Sequence, residues 1–154
     1  MESRVLQRNP YHGIRASEHR PLPNPTLEDL RSQYDGLLRA EYWIPRTPED
    51  EAAIQAYKQE LITTGKTIED DIRELAGESG FVFMENPFPY ALKNARHYVL
   101  WVLNDKKLEE ADEYIRGFLV TNQVSPDEIV CYENNIAYQT ASGIPHFHIY
   151  IPET

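Results

Sequence analysis

Between residues 26 and 80 the chain reads as three helices, each opened by its own start signal. Thr26 with Asp29 three residues on resembles a capping box and predicts a helix to about Ala40. Thr47 before Pro48, Glu49 and Asp50 sets a cap, a first-turn proline and acids that favour the positive end of the helix dipole; this helix runs to about Thr63 and stops at Gly65. Thr67 and Asp70 open a shorter helix, closed by Gly77 and Gly80.

From residue 81 the apolar positions gather into runs of strand length. Phe81 to Met84 predicts a strand, and Asn86-Pro87-Phe88-Pro89-Tyr90 forces a turn. His97 to Leu103 is an almost unbroken apolar run, as a strand covered on both faces requires. Lys107 to Leu119 carries apolar residues at helical spacing, Asp127 to Cys131 is strand-like, residues 134–143 form a polar loop, and Pro145 to Pro152 make the last strand. The order predicts an α+β fold: an antiparallel sheet with an added N-terminal helical region. Three parts follow, a Pro/Arg-rich arm over residues 1–25, a helical region over 26–80 packed on the core, and the α+β core over 81–154. The arm holds four arginines, two histidines and four prolines, which bias it to extended conformations outside any central sheet.

Charge narrows the ligands. Of 154 residues 25 are acidic and 15 basic, a net charge of −10 divided equally between residues 1–80 and 81–154. That balance opposes bulk binding of a long nucleic acid or an anionic membrane surface. Many of the acids sit in helix first turns, which gives them a structural use. Between residues 86 and 107, however, Lys93, Arg96, Lys106 and Lys107 stand against Asp105 alone, a local basic exception able to meet one small anion. A solvated loop accounts for the same residues. A single cysteine, Cys131, excludes an internal disulfide and a cysteine-based zinc site. With no apolar stretch of signal-peptide or membrane-spanning length, the expectation is a soluble, intracellular, cytoplasmic protein.

Candidate chemistry concentrates in the last strand. Alternation puts His146, His148 and Tyr150 on one face and Phe147, Ile149 and Ile151 on the other, the side expected to meet the core. Two imidazoles about 7 Å apart on a rigid element can act jointly as nucleophile, proton carrier or ligand pair. His97 opens its strand either toward the same cavity or as a buried, hydrogen-bonded histidine. Trp101 reads as core rather than as a base-stacking platform. Phe88 and Tyr90 either line a pocket or cover the core edge, and the stretch around His12 is long enough to fold over it.

Asn134-Asn135, the polar loop with Gln139, Ser142 and Gly143, and Pro145-His146-x-His148 together resemble the signature of the histidine-triad (HIT) superfamily. Phe81 to Asp105 resembles the upstream half of the same fold, so the likeness spans about residues 81–152. It is a divergent likeness, since Tyr150 stands where the third histidine belongs, a position that holds glutamine in transferase branches. The resemblance implies nucleotide phosphoester hydrolysis or nucleotidyl transfer. His148 would attack the α-phosphorus and His146 would orient it. Asn135 would hold ribose or phosphate, Ser142 and Gly143 would face the phosphate, and Gln139 would lie slightly out of register. Arg96, His97 and Tyr150 complete the expected ligand-binding set. The same blocks also resemble a fungal family of unknown function.

Two other readings compete. The fold could serve as a non-catalytic nucleotide-binding or protein-interaction module, consistent with Tyr150 and the irregular loop. A metal site would take His146 and His148 with Glu85 or His97 as third ligand. The leading expectation calls for a small phosphorylated ligand or nucleotide, no cofactor and no bound metal.

Overall fold

The computed structural model describes residues 4–135 and 144–153. Its centre is a four-stranded antiparallel sheet of β3 (Phe81–Glu85), β4 (Ala95–Val102), β5 (Val130–Glu133) and β6 (His146–Pro152), in the spatial order β3-β4-β6-β5. Five helices surround it: α1 (Leu27–Ser32), α2 (Tyr34–Arg39), α3 (Pro48–Thr64), α4 (Ile68–Ala76) and α5 (Leu108–Thr121). A two-residue parallel ribbon joins β1 (Arg20–Pro21) to β2 (Tyr42–Trp43) away from this sheet. The class is α+β.

Local signals placed the helices. Thr26, Thr47 and Thr67 each accept a hydrogen bond from the amide three residues on, and the first and last are complete capping boxes with Asp29 and Asp70. Gly65, in the left-handed region at φ 74°, ends α3. The single helix expected over residues 26–40 is two, broken at Gln33. Here a tertiary bond outweighs helix continuity: the Tyr34 hydroxyl donates to the Cys131 carbonyl at 2.6 Å, which ties the start of α2 to β5. The strand expected over Asp127–Cys131 begins instead at Val130. Ser125 and Glu128 make a capping box around Pro126, and this local turn takes Pro126–Glu128 out of the sheet.

On one sheet face, Leu100, Val102, Phe147, Ile149 and Ile151 pack with Leu108, Ala111, Ile115 and Leu119 of α5. The N-terminal arm completes this layer. Leu6 is fully buried in it, and Val5 and Leu6 donate their amides to Asp112 Oδ1 at 2.8 Å each. The opposite face is also covered. Leu30, Leu37 and Ile44 close over Val130, Tyr132 and Tyr150. The expectation that only the Phe147–Ile149–Ile151 side of β6 meets the core is therefore corrected. Both faces are buried, because α1, α2 and the 86–92 turn cover the histidine side.

Candidate functional site

Strand β6 carries His146 and His148, and β4 carries His97 and Trp101 onto the same face, with Trp101 opposite His146 and His97 opposite Tyr150. The Asn86–Tyr90 turn, set by its two prolines, brings Phe88 and Tyr90 over this surface. Helices α3 and α4 form the far wall through Ile54, Tyr57 and Lys58 from one and Asp71, Ile72 and Leu75 from the other. The cleft between them measures about 530 Å³, with His146 and His148 in its lining. That is the size range of a small-molecule site.

Hydrogen bonds fix the protons on two of the histidines. A backbone amide can only donate, so the Tyr90 N–H, 3.1 Å from His97 Nδ1, requires a lone pair there. Neutral His97 then carries its proton on Nε2, which lies 2.8 Å from His148 Nδ1 and donates to it. His148 in turn is left with its proton on Nε2. Its Nδ1 lone pair is occupied, and its Nε2 offers the cavity a donor rather than a nucleophile.

The cluster is uncharged near neutral pH. Burial pushes His97 down to about 3, helped by Arg46 and His146. Burial likewise lowers His146 to about 4, against an opposing pull from the Ile144 carbonyl. His148 lies well below the ordinary histidine value through burial first, then His97, His146 and Arg46. His146 is 8 % exposed, and its Nδ1 is buried without a hydrogen-bond partner among the described residues. Trp101 packs against His146 in a tilted arrangement, ring centroids 4.4 Å apart and planes at 36°, and the Tyr90 ring centroid lies 5.2 Å from that of His148.

Positive charge enters from the helical side. Arg46 donates to the Phe88 carbonyl at 2.8 Å and lies over the Tyr90 ring. Lys58 lines the cavity and forms no ion pair among the described residues. Asp71 accepts from the Tyr57 hydroxyl at 2.6 Å.

The expected site residues divide three ways. His97, His146 and His148 come together. Tyr150 shares their face but is sealed in the core, its hydroxyl 2.7 Å from that of Tyr132, and it does not line the cavity. Asn135 is 1 % exposed and holds the arm, accepting from the Gly13 amide and donating to the Ile14 carbonyl. Arg96 points to the opposite face of β4 and makes two bonds to Glu85, which removes both from the histidine side. Gln139, Ser142 and Gly143 lie outside the described residues. Among the described residues no group of three His, Cys, Asp or Glu side chains is arranged to hold a metal.

Arg46, Tyr57, Lys58 and Asp71, all from the helical region, line the cavity without standing out in the sequence as site residues. One signal was present, since Ile54, Tyr57 and Lys58 fall at i, i+3 and i+4 on one helix face. Trp101, expected in the core, is half-buried and lines the cavity.

No protein-family model and no curated protein matches the chain. Among solved structures, the crystal structure of HTC1 is similar in fold, with a TM-score of 0.59 over 84% of this chain and 85% of that one, at 15% identity. No helix among the described residues is long and apolar enough to cross a membrane.

Proposed function

We propose that the chain binds a small phosphorylated ligand of nucleotide type in the cavity between the sheet and α3–α4, without nucleophilic attack by His148. The carrying observation is an aromatic cavity over two neutral histidines, His146 and His148, that also receives two cations, Arg46 and Lys58, against one carboxylate, Asp71, inside a protein of net charge −10. A few polar groups in a largely apolar enclosure suit a ligand with one flat and one charged part. The reading keeps the ligand class that the histidine-triad resemblance implies and drops the transfer chemistry. A nucleophile needs a free lone pair facing its target, and the relay from the Tyr90 amide through His97 leaves none on His148 Nε2.

The test is a thermal-shift series with nucleoside monophosphates and diphosphates, paired with turnover assays on nucleoside phosphoramidates and dinucleoside polyphosphates. At least one nucleotide is expected to raise Tm, and Lys58→Ala to weaken its binding about 10-fold, the scale of one charge-assisted contact. Turnover is expected to be absent in both the native protein and His148→Ala. Native turnover abolished by His148→Ala would overturn the non-catalytic part. No stabilisation by any nucleotide would overturn the ligand class.

A further inference from the structure

We propose that α3 and α4 form a hinged lid over the cavity, a helical hairpin that swings as one body about residues 46–47 and 77–80 and is latched shut by Tyr57 against Phe88. The lid goes beyond the ligand reading and does not depend on it, because it governs access to the cavity whatever occupies it.

The hairpin is tied firmly to itself. The Tyr57 hydroxyl of α3 donates to Asp71 Oδ2 of α4 at 2.6 Å, Lys66 Nζ lies 3.4 Å from Glu74 Oε2, and Gly65 makes the left-handed joint at the end of α3. To the rest of the molecule it is tied weakly. Among the described residues, residues 46–79 make two hydrogen bonds outward, one at each end. Arg46 Nε donates to the Phe88 carbonyl at 2.8 Å, and the Ser79 hydroxyl lies 2.8 Å from the Phe81 carbonyl. Between those ends the attachment is apolar: α3 buries Leu61 alone of its 17 residues, and α4 buries Ile72 and Ala76. Helix α5, on the other side of the sheet, buries five residues along 14. Segments with few buried contacts open at low free energy, and moving elements are drawn from them.

Both hinges are bounded by fixed points. Before the first, the Pro45 carbonyl accepts from the Ala91 amide at 2.9 Å, and at the end of the second the Gly80 carbonyl accepts from the Leu103 amide at 2.9 Å. Gly77 lies at φ 55° and ψ −129°, a conformation that calls for glycine, and open space surrounds the position a Cβ would take, so the chain can turn there without collision. The latch is the Tyr57 ring against Phe88, centroids 5.3 Å apart, on the turn set by two prolines. Access to the floor calls for such a motion, because His146 and His148 are 8 % and 3 % exposed beneath the hairpin. The hairpin also carries Lys58, so a ligand that touches both Lys58 and the histidine strand would favour the closed position.

The deciding experiment measures distances between nitroxide labels by double electron–electron resonance in the ligand-free full chain, on a Cys131→Ala background. Labels at Ala56→Cys and Glu113→Cys, both exposed, report α3 against α5, and labels at Ala56→Cys and Arg73→Cys report α3 against α4. The first pair is expected to show a major distance and a longer minor one, the second pair a single distance. Phe88→Ala removes the latch and leaves the bonds within the hairpin in place. It should raise the minor fraction of the first pair about 5-fold, the scale of one aromatic contact. A longer distance that emerges only in Phe88→Ala also supports the lid, with the latch holding the native protein shut. A single first-pair distance in both proteins overturns it. So does a second-pair distance that spreads together with the first, since the hairpin would then unravel rather than swing. A minor fraction unchanged by Phe88→Ala overturns the latch. No outcome depends on a nucleotide, so failure of the lid and failure of the ligand reading are told apart.

Discussion

Asp112 stands in the apolar stripe of α5 and is 1 % exposed, an unusual position for a carboxylate. It is tolerated because Oδ1 receives the Val5 and Leu6 amides and Oδ2 receives Arg116. The arm is held again where Glu133 Oε1 accepts the Asn9 amide at 2.7 Å, and once more where Asn135 spans Gly13 and Ile14. Asp112→Ala would leave two amides without their acceptor and is expected to cost about 3 kcal/mol in urea unfolding. Asp112→Asn keeps an acceptor oxygen and should cost clearly less. Equal losses would mean that the charge, and not the acceptor, does the anchoring. None of these roles is visible at the residue itself. The sequence shows an acid or an amide, and the arm that each one holds lies more than 100 positions away.

Helix starts were readable because caps are local: the residues that satisfy an end lie within four positions of it. Elements whose limits depend on distant contacts were not readable in the same way. The break between α1 and α2 follows from the Tyr34 bond to β5, and the late start of β5 from the Ser125–Glu128 box. Strand β6 shows the limit of a period-two pattern. Alternation separated its two faces correctly but could not say that both are covered. Within α2, Gly36 packs under a ring of β2, where an added Cβ would lie 2.6 Å from Tyr42 Cδ2. Alanine in place of a helical glycine ordinarily stabilises by about 1 kcal/mol. Gly36→Ala is expected instead to destabilise by about 1–3 kcal/mol through overpacking. The sign should revert in a Tyr42→Ala background, a double-mutant cycle measured by chemical unfolding.

For the whole molecule the three buried histidines set the response to acid. Unfolded, each titrates near the ordinary value of about 6.5. Folded, His97 holds out to about 3 and His146 to about 4, with His148 also well below the ordinary value. A depressed folded value means that the unfolded state binds more protons, so stability is lost as pH falls below about 6.5. The loss per histidine is about 1.4 kcal/mol per pH unit until its folded value is reached. Urea-unfolding free energies between pH 7 and pH 5 should fall with a slope approaching three protons. A flat profile across that range would show that the histidines take up protons as readily in the native state as in the unfolded one.

Fold class, helix positions and the pairing of His146 with His148 on one strand face were set by the sequence alone, because caps, periodicity and alternation act over a few residues. The tertiary structure decided what that face meets. It brought His97 within hydrogen-bond reach of His148, fixed the ring protons from the Tyr90 amide, and closed the surface with α3 and α4. It turned Arg96 away, sealed Tyr150 and engaged Asn135 with the arm. The physical reason is distance along the chain. A tautomer, a cavity wall and a cation facing an aromatic ring each depend on partners from separate segments, and only packing brings those segments together.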